Sequence, residues 1–327
     1  MDYYEKYFKY KQKYLELTGG HEMQVSNSDK KIKTNIDNIF ISQVQYDSCG
    51  MTVVSSPISL DYYIDKRGKN VYGLGTDMLY GNENASTYAQ AVCLVGGSTL
   101  GLEGICGVNQ ALIEENHNQY NIPAIGATCY SINIHRKDFT HPDVRLGKFA
   151  LANKGKDLMI GNVGSGVNTR VGKLYDDWED KMFFAGQGAD YCESGKMKCF
   201  CIVVLNSLGV VHDKGKLLHP FKIGEEDITN IEQMPKTPLF DTSVNARKPG
   251  NTTLTIFVTN VRYTEIQMKT LSKQLHDVVE NMVYPYGTLL DGDIFFLVSS
   301  KEIDSDVDYL NDYTTTIQNA IKSPFIV

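Results

Sequence analysis

Along the last quarter of the chain the alternation of apolar and polar positions becomes regular at Thr252. From there Thr252-Thr253-Leu254-Thr255-Ile256-Phe257-Val258-Thr259 alternates threonine with apolar residues and closes in an apolar run, the pattern of a strand entering a core. Arg247-Lys248-Pro249-Gly250-Asn251 precedes it, a breaker cluster suited to neither strand nor helix. Thr264 and Gln267 then form a capping box, and the spacing predicts a helix with Ile266, Leu271, Leu275, Val278 and Met282 on one face. Pro285 ends it, Asp291-Gly292-Asp293 turns the chain, Ile294 to Val298 predicts a strand, and Ser305-x-x-Asp308 opens a last helix.

The first half carries the same two periods. Short strand-like runs fill 39–87, among them Met51-Thr52-Val53-Val54. Ala91-Val92-Cys93-Leu94-Val95 predicts a buried strand, Gly96-Gly97-Ser98 a tight turn, and Leu100 to Glu114 a helix rich in small residues. A glycine turn between strand and helix either aims backbone N–H groups at an anion or lets the helix pack closely, and the pattern alone leaves both open. Ile122-Pro123-Ala124-Ile125 and Ala127 to Ile134 predict more strand, with Tyr130 near its end, and His141-Pro142-Asp143 opens another helix. Gly161-Asn162-Val163-Gly164-Ser165-Gly166 is a second glycine-rich turn. Val163 stands two residues before Ser165, so the serine is not in an esterase elbow. Cys199 to Val211 predicts two buried strands broken at Asn206-Ser207-Leu208-Gly209, and 212–250 reads as a loop. Strands in runs with helices in pairs indicate an α+β layered fold.

Two further segments precede the body. Tyr3, Tyr7, Tyr10, Tyr14 and Leu17 recur at helical spacing with lysines between, predicting an amphipathic helix over 1–20 that stops at Gly19-Gly20. Residues 21–38 read as a polar linker, so 39–327 is expected to form the single main domain. The Tyr–Lys-rich leader resembles those that open many proteins of giant DNA viruses.

Composition narrows the function. A formal net charge of −7 over 327 residues argues against a nucleic-acid or membrane-surface binder. The odd set of cysteines, mostly inside apolar runs, suits reduced thiols in a cytoplasmic setting, and no apolar run reaches the length of a membrane span. Scattered histidines offer no metal motif, and neither metal nor cofactor is expected. The chemistry points back to Thr252. A hydroxyl residue opening a buried strand after a flexible connection is either a plain edge strand or an N-terminal nucleophile; cut after Asn251, it would carry base and nucleophile in one residue.

The stretches Ala91 to Leu102, Asn162-Val163-Gly164-Ser165-Gly166, Asn206-Ser207-Leu208-Gly209, Asn251-Thr252-Thr253-Leu254 and Asp291-Gly292-Asp293-Ile294-Phe295 occur in the order seen in one family. From Ile39 to the C-terminus the chain resembles the self-processing N-terminal-nucleophile aminopeptidases: the DmpA-type L-aminopeptidase/D-amidase-esterases, β-peptidyl aminopeptidases and nylon-oligomer hydrolases. The resemblance implies an αββα sandwich cut into residues 1–251 and 252–327, with Asn251 and Thr252 flanking the cut. It implies Thr252 as nucleophile, Asn206 as oxyanion donor, Asp291 and Asp293 as the acidic pair, and Tyr130 as a hydroxyl near the nucleophile. It also implies an amide or small-peptide substrate and a homo-oligomer, such as a tetramer. One departure concerns the family's lysine: its aligned position falls at Phe184, with Lys173 and Lys181 as displaced candidates. A self-processing amide hydrolase is therefore the expectation, against a non-catalytic relative or an acyltransferase using the same acyl-enzyme.

Overall fold

The computed structural model describes residues 22–69, 71–77, 88–116, 124–131, 140–174, 182–234 and 250–326. The amphipathic segment 1–20, Lys181 and residues 235–249 lie outside the described residues. In chain order the strands are β1 (Gln24–Val25), β2 (Lys31–Lys33), β3 (Phe40–Gln45), β4 (Gly50–Arg67), β5 (Tyr72–Leu74), β6 (Tyr88–Val95), β7 (Ala124–Thr128) and β8 (Asp157–Met159). They continue with β9 (Gly186–Ser194), β10 (Met197–Asn206), β11 (Val210–Asp213), β12 (Lys216–Ile223), β13 (Glu226–Asn230), β14 (Thr252–Val261), β15 (Val283–Tyr284) and β16 (Asp293–Ile303). The helices are α1 (Leu102–Glu115), α2 (Val144–Ala152), α3 (Glu265–Glu280) and α4 (Leu310–Lys322).

One continuous ladder, β5-β7-β6-β4-β16-β14-β10-β9, with β3 also on β4, folds into two layers at β4. The first half of β4 pairs with β3 and β6, and its last residues, Asp61 to Arg67, pair with β16. A register shift between Ser55 and Leu60 marks the change of layer. Between the layers Val54, Leu60, Val92 and Leu94 meet Ile202, Val204, Leu254, Ile256 and Phe296. On the outer face of one layer, Cys201, Val203, Phe257, Phe295 and Leu297 pack under α3 and α4; on the other, Val53, Cys93 and Val95 pack under α1 and α2. Helices thus cover both outer faces and the fold is α+β, an αββα sandwich. Strands covered on both faces read as unbroken apolar runs, which is why β10, β14 and β16 were so legible.

Two helix starts follow the sequence: Asp143 accepts from Leu146 N to open α2, and Thr264 with Gln267 forms the capping box of α3. Helix α4 instead starts at Leu310, later than Ser305-x-x-Asp308 and without a side-chain cap from Tyr309. The inward face of α3 differs from expectation. Met268, Ser272, Leu275, His276 and Val279 are buried, whereas Ile266 is 78% exposed. Polar Ser272 and His276 belong to the buried stripe, so an apolar-only count rotates the face by a residue or two.

Two segments are more ordered than their composition suggests. Residues 22–38, read as a linker, are tied to the body: β1 pairs with β3, β2 with β8, and Ile36 is fully buried. Within 212–234, read as loop, β12 and β13 form an arm whose inner side chains, Leu217 and Ile228, share a small core with Leu174, Leu208, Val210 and Met234. The arm is mostly polar, and Pro220 lies inside the register shift between Lys216 and Phe221, so its strand pattern is broken. The predicted strand 127–134 stops at Thr128 among the described residues. No helix among the described residues is long and apolar enough to cross a membrane.

Topology fixes where chemistry can gather. β14 and β16 are parallel, with Leu254 opposite Ile294, so Thr252 and Asp293 start their strands at the same edge. β10 runs antiparallel to β14 and ends there, with Asn206 opposite Thr252.

Candidate active site

At this edge the polar residues singled out by the sequence are almost fully buried. Thr252 is 5% exposed, and Asn206, Lys173, Asp291 and Asp293 are each 1% exposed. The Thr252 hydroxyl donates to the carbonyl of Asn251 at 2.5 Å, and the Gly292 N–H donates to the same oxygen at 2.9 Å. The peptide bond before Thr252 is therefore gripped by a hydroxyl on one side and a backbone donor on the other.

Asn206 is oriented by its neighbours. Its Oδ1 accepts from the Arg170 N–H and the Lys173 ammonium, each at 3.2 Å, and its carbonyl accepts from Lys173 at 2.8 Å. Nδ2 is thereby turned toward the cleft, where it donates to the carbonyls of Tyr130 at 3.0 Å and Gly250 at 3.3 Å. Lys173 reaches this position because its loop is clipped to the turn after Asn206: Gly172 N–H donates to Gly209 O and Lys173 N–H to Leu208 O. Positive φ at Gly172 allows that bend. Lys173, one of the candidate lysines, is at the site; Lys181 lies outside the described residues. Phe184 stands 54% exposed beside the Arg170 guanidinium.

The carboxylates are held mostly by donors that leave no mark in a sequence. Asp291 Oδ2 accepts from the hydroxyl of Thr288 at 2.7 Å and from its N–H at 3.2 Å. Asp293 accepts from Thr253 N–H at 2.6 Å and Gly287 N–H at 3.0 Å. Burial pushes both carboxyls above the ordinary range; hydrogen bonds and the Lys173 charge oppose this at Asp291, whereas the Asp291 charge pushes Asp293 further up. Burial lowers Lys173 to about 7 against the pull of Asp291. Sharing of charge among these three groups is the electrostatic core of the site.

A cleft of about 310 Å³ opens over Thr252, lined by Tyr72, Ser98, Thr128, Cys129, Tyr130 and Leu290 together with Gly250 and Asn251. Tyr130 contributes its carbonyl to Asn206, and its ring stands against Gly250, where an added Cβ would sit 3.0 Å from the Tyr130 Cβ. Cys129, missed by sequence reasoning, is buried close enough to Lys173 to feel its charge; burial pushes its thiol up to about 12. A larger groove between α3 and α4 lies apart from these residues.

The glycine turns serve packing. Gly96 N–H donates to Gly50 O, Gly97 N–H to the Ser131 hydroxyl and Ser98 N–H to Cys129 O, so these donors are spent inside the fold rather than aimed at an anion. Gly97 and Ser98 both take positive φ, an added Cβ at Gly101 would meet the Gly96 carbonyl of the same turn at 2.0 Å, and one at Gly107 would meet the Val144 carbonyl of α2 at 2.2 Å, the mark of close helix packing. Only Ser98 of this turn lines the cleft. Gly164, Ser165 and Gly166 are buried behind Cys129, whose thiol lies 4.0 Å from the Ser165 carbonyl, with Ser165 Oγ 3.1 Å from Thr52 Oγ1 and 3.3 Å from Gln187 Oε1.

No family model matches the sequence. The chain is 28% identical over 293 residues to a 6-aminohexanoate-oligomer endohydrolase of Paenarthrobacter ureafaciens, covering 85% of this chain and 78% of that protein. It is 26% identical over 282 residues to an uncharacterized aminopeptidase of Mycobacterium leprae, covering 79% and 72%. Its fold superposes with a TM-score of 0.57 and 15% identity on the L-aminopeptidase D-Ala-esterase/amidase of Ochrobactrum anthropi, a variant of the Ntn-hydrolase fold, over 92% of this chain and 88% of that one. By sequence the chain is a homologue of 6-aminohexanoate-oligomer endohydrolases and aminopeptidases, which marks it as an amide or peptide hydrolase, and its fold is that of the Ntn-hydrolase variant seen in the Ochrobactrum anthropi enzyme.

Proposed function

We propose that the chain cuts itself between Asn251 and Thr252 and then hydrolyses amides through the freed Thr252. The observation that carries this reading is the hydroxyl of Thr252 at 2.5 Å from the carbonyl oxygen of the bond it would break. In the first step Thr252 Oγ adds to the Asn251 carbonyl carbon, with the Gly292 N–H already donating to the oxygen that gains charge. The C–N bond breaks, the hydroxyl proton ends on the Thr252 nitrogen, and water hydrolyses the resulting ester.

In the mature enzyme the Thr252 amine takes the hydroxyl proton as Oγ attacks the substrate carbonyl. Asn206 Nδ2 donates to the tetrahedral oxyanion, the leaving amine departs with a proton, and water releases the acyl group. Cutting bears on availability: Gly250, whose carbonyl occupies Nδ2 in the uncut chain, becomes part of a free end that can leave the cleft. Lys173 keeps the Asn206 amide turned and offsets the two carboxylates. The substrate is an oligomeric or short amide, as the name of the endohydrolase relative indicates for that protein.

Intact mass measurement tests the reading. The purified chain is expected as two pieces, 1–251 and 252–327, and Thr252→Ala as one, with hydrolysis of a linear 6-aminohexanoate oligomer lowered by at least about a thousandfold. A wild-type chain of full mass, matching Thr252→Ala, overturns it.

A further inference from the structure

Behind the two carboxylates lies a second buried polar chain that the hydrolytic steps do not use. His276, on α3, is fully buried, with Nδ1 2.8 Å from Asp65 Oδ2 and Nε2 2.6 Å from the Tyr286 hydroxyl. A carboxylate only accepts, so Nδ1–H donates to Asp65; the neutral ring then accepts the Tyr286 proton at Nε2. The imidazole stacks on Phe295 with centroids 5.5 Å apart and meets the Tyr286 ring edge-on at 5.6 Å. Both of its nitrogens and its flat face are therefore fixed.

Tyr286 stands immediately before the residues that hold the acidic pair. Gly287 N–H donates to Asp293, and Thr288 supplies both its N–H and its hydroxyl to Asp291. The end of β4 closes the back of the turn so tightly that a Cβ added at Gly68 would lie 2.2 Å from the Asp291 carbonyl oxygen. Asp65, on the same strand, pairs in register with Phe295, two residues beyond Asp293. Displacing the Tyr286 hydroxyl would move the Gly287 and Thr288 donors against a turn that has no room behind it.

We propose that His276, oriented by Asp65, is a positioning residue that sets Asp291 and Asp293 for attack by Thr252 through Tyr286; this rests on the reading of those residues given above. A buried ring with two polar nitrogens carries a desolvation cost that an apolar residue in a helix core would not. The groups facing His276 are Asp65 and Arg67 from β4, Glu280 from its own helix, and Tyr286. Burial holds its pKa below the ordinary imidazole value against the Asp65 hydrogen bond, and burial raises Tyr286 well above the ordinary phenol value. Both directions keep the chain in one protonation pattern near neutral pH. Protonating Nε2 replaces its acceptor with a donor and reverses the link to Tyr286, whose hydroxyl must then accept and turn its own proton elsewhere.

The test compares Tyr286→Phe, His276→Gln and His276→Leu with wild type and Thr252→Ala, all as full chains. Melting temperature, rate of self-cleavage across pH, and kcat and KM on a linear 6-aminohexanoate trimer are measured. Tyr286→Phe is expected to fold, to cut about tenfold more slowly and to lose kcat with KM unchanged. The acid limb of its rate–pH profile shifts, and His276→Gln retains more rate than His276→Leu. If Thr252→Ala stays uncut while Tyr286→Phe cuts at the wild-type rate with an unshifted profile, whatever its melting temperature, the positioning role is overturned and the Thr252 reading stands. If wild type is never cut, the reading of Thr252 falls and takes this role with it.

Discussion

Two buried polar clusters sit at the seams of this sandwich, and they differ in completeness. Around Ser165, the hydroxyls of Thr52 and Ser165 meet the Gln187 carbonyl oxygen at 2.6 and 3.3 Å, and Gln187 Nε2 donates to Met159 O at 2.9 Å. Its members are neutral, and none of their side-chain atoms is left without a partner. Around Thr252 the cluster holds a lysine and two carboxylates, and Asn251 Oδ1, Thr253 Oγ1 and Asp291 Oδ1 have no hydrogen-bond partner among the described residues. A complete neutral network stabilises packing; an incomplete charged one is held ready for a group that arrives or changes during reaction.

Substitutions can break that contrast, beginning with the largest expected effect. Asn206→Ala is expected to slow oligomer hydrolysis by roughly a hundredfold or more, the scale of a lost oxyanion donor, as read by single-turnover kinetics. A rate within twofold of wild type would move the oxyanion donor elsewhere, to the Gly292 N–H in the first instance.

Lys173→Met should lower the rate by about tenfold or more and change the pH dependence of stability. The sign follows from linkage: Lys173 drops from 10.5 to about 7 on folding, so between these values the unfolded chain holds the extra proton. Its contribution is thus fully favourable above the unfolded value and is lost as pH falls through about 7. Thermal melts of Lys173→Met, compared with wild type, should lose that rise across the same window; parallel curves would place the lysine outside the charge-sharing core.

Ser165→Ala removes a hydroxyl from the complete cluster. It should cost about 1–2 kcal/mol in denaturant melts and leave the cleavage rate unchanged, whereas a slowed rate would join the two clusters functionally. Ile266→Ser, at the exposed start of α3, should change stability by no more than about 0.5 kcal/mol and leave the rate alone.

The legibility of these regions followed burial pattern. Strands β10, β14 and β16 announced themselves because both faces are covered, and Asn206, Thr252, Asp291 and Asp293 stand at their ends, where a polar residue interrupts an apolar run. Lys173 could not be separated from Lys181 by sequence, since its placement depends on the backbone clip to Leu208 and Gly209. Ser272 and His276 escaped the helical face because polar residues do not count toward an apolar stripe. Strand β1 and the β12–β13 arm escaped because short or half-exposed strands carry little alternation.

The sequence by itself determined the long buried strands, the caps of α2 and α3, the α+β class and the break before Thr252, because each depends on local periodicity or on a residue's own backbone preferences. The tertiary structure decided which polar residues meet. Parallel pairing of β14 with β16 and antiparallel pairing with β10 gather Thr252, Asp293 and Asn206 at one edge, and backbone N–H donors from Thr253, Gly287 and Gly292 complete the site. Such donors are common to almost every residue, so only the folded path of the chain distinguishes the ones that act.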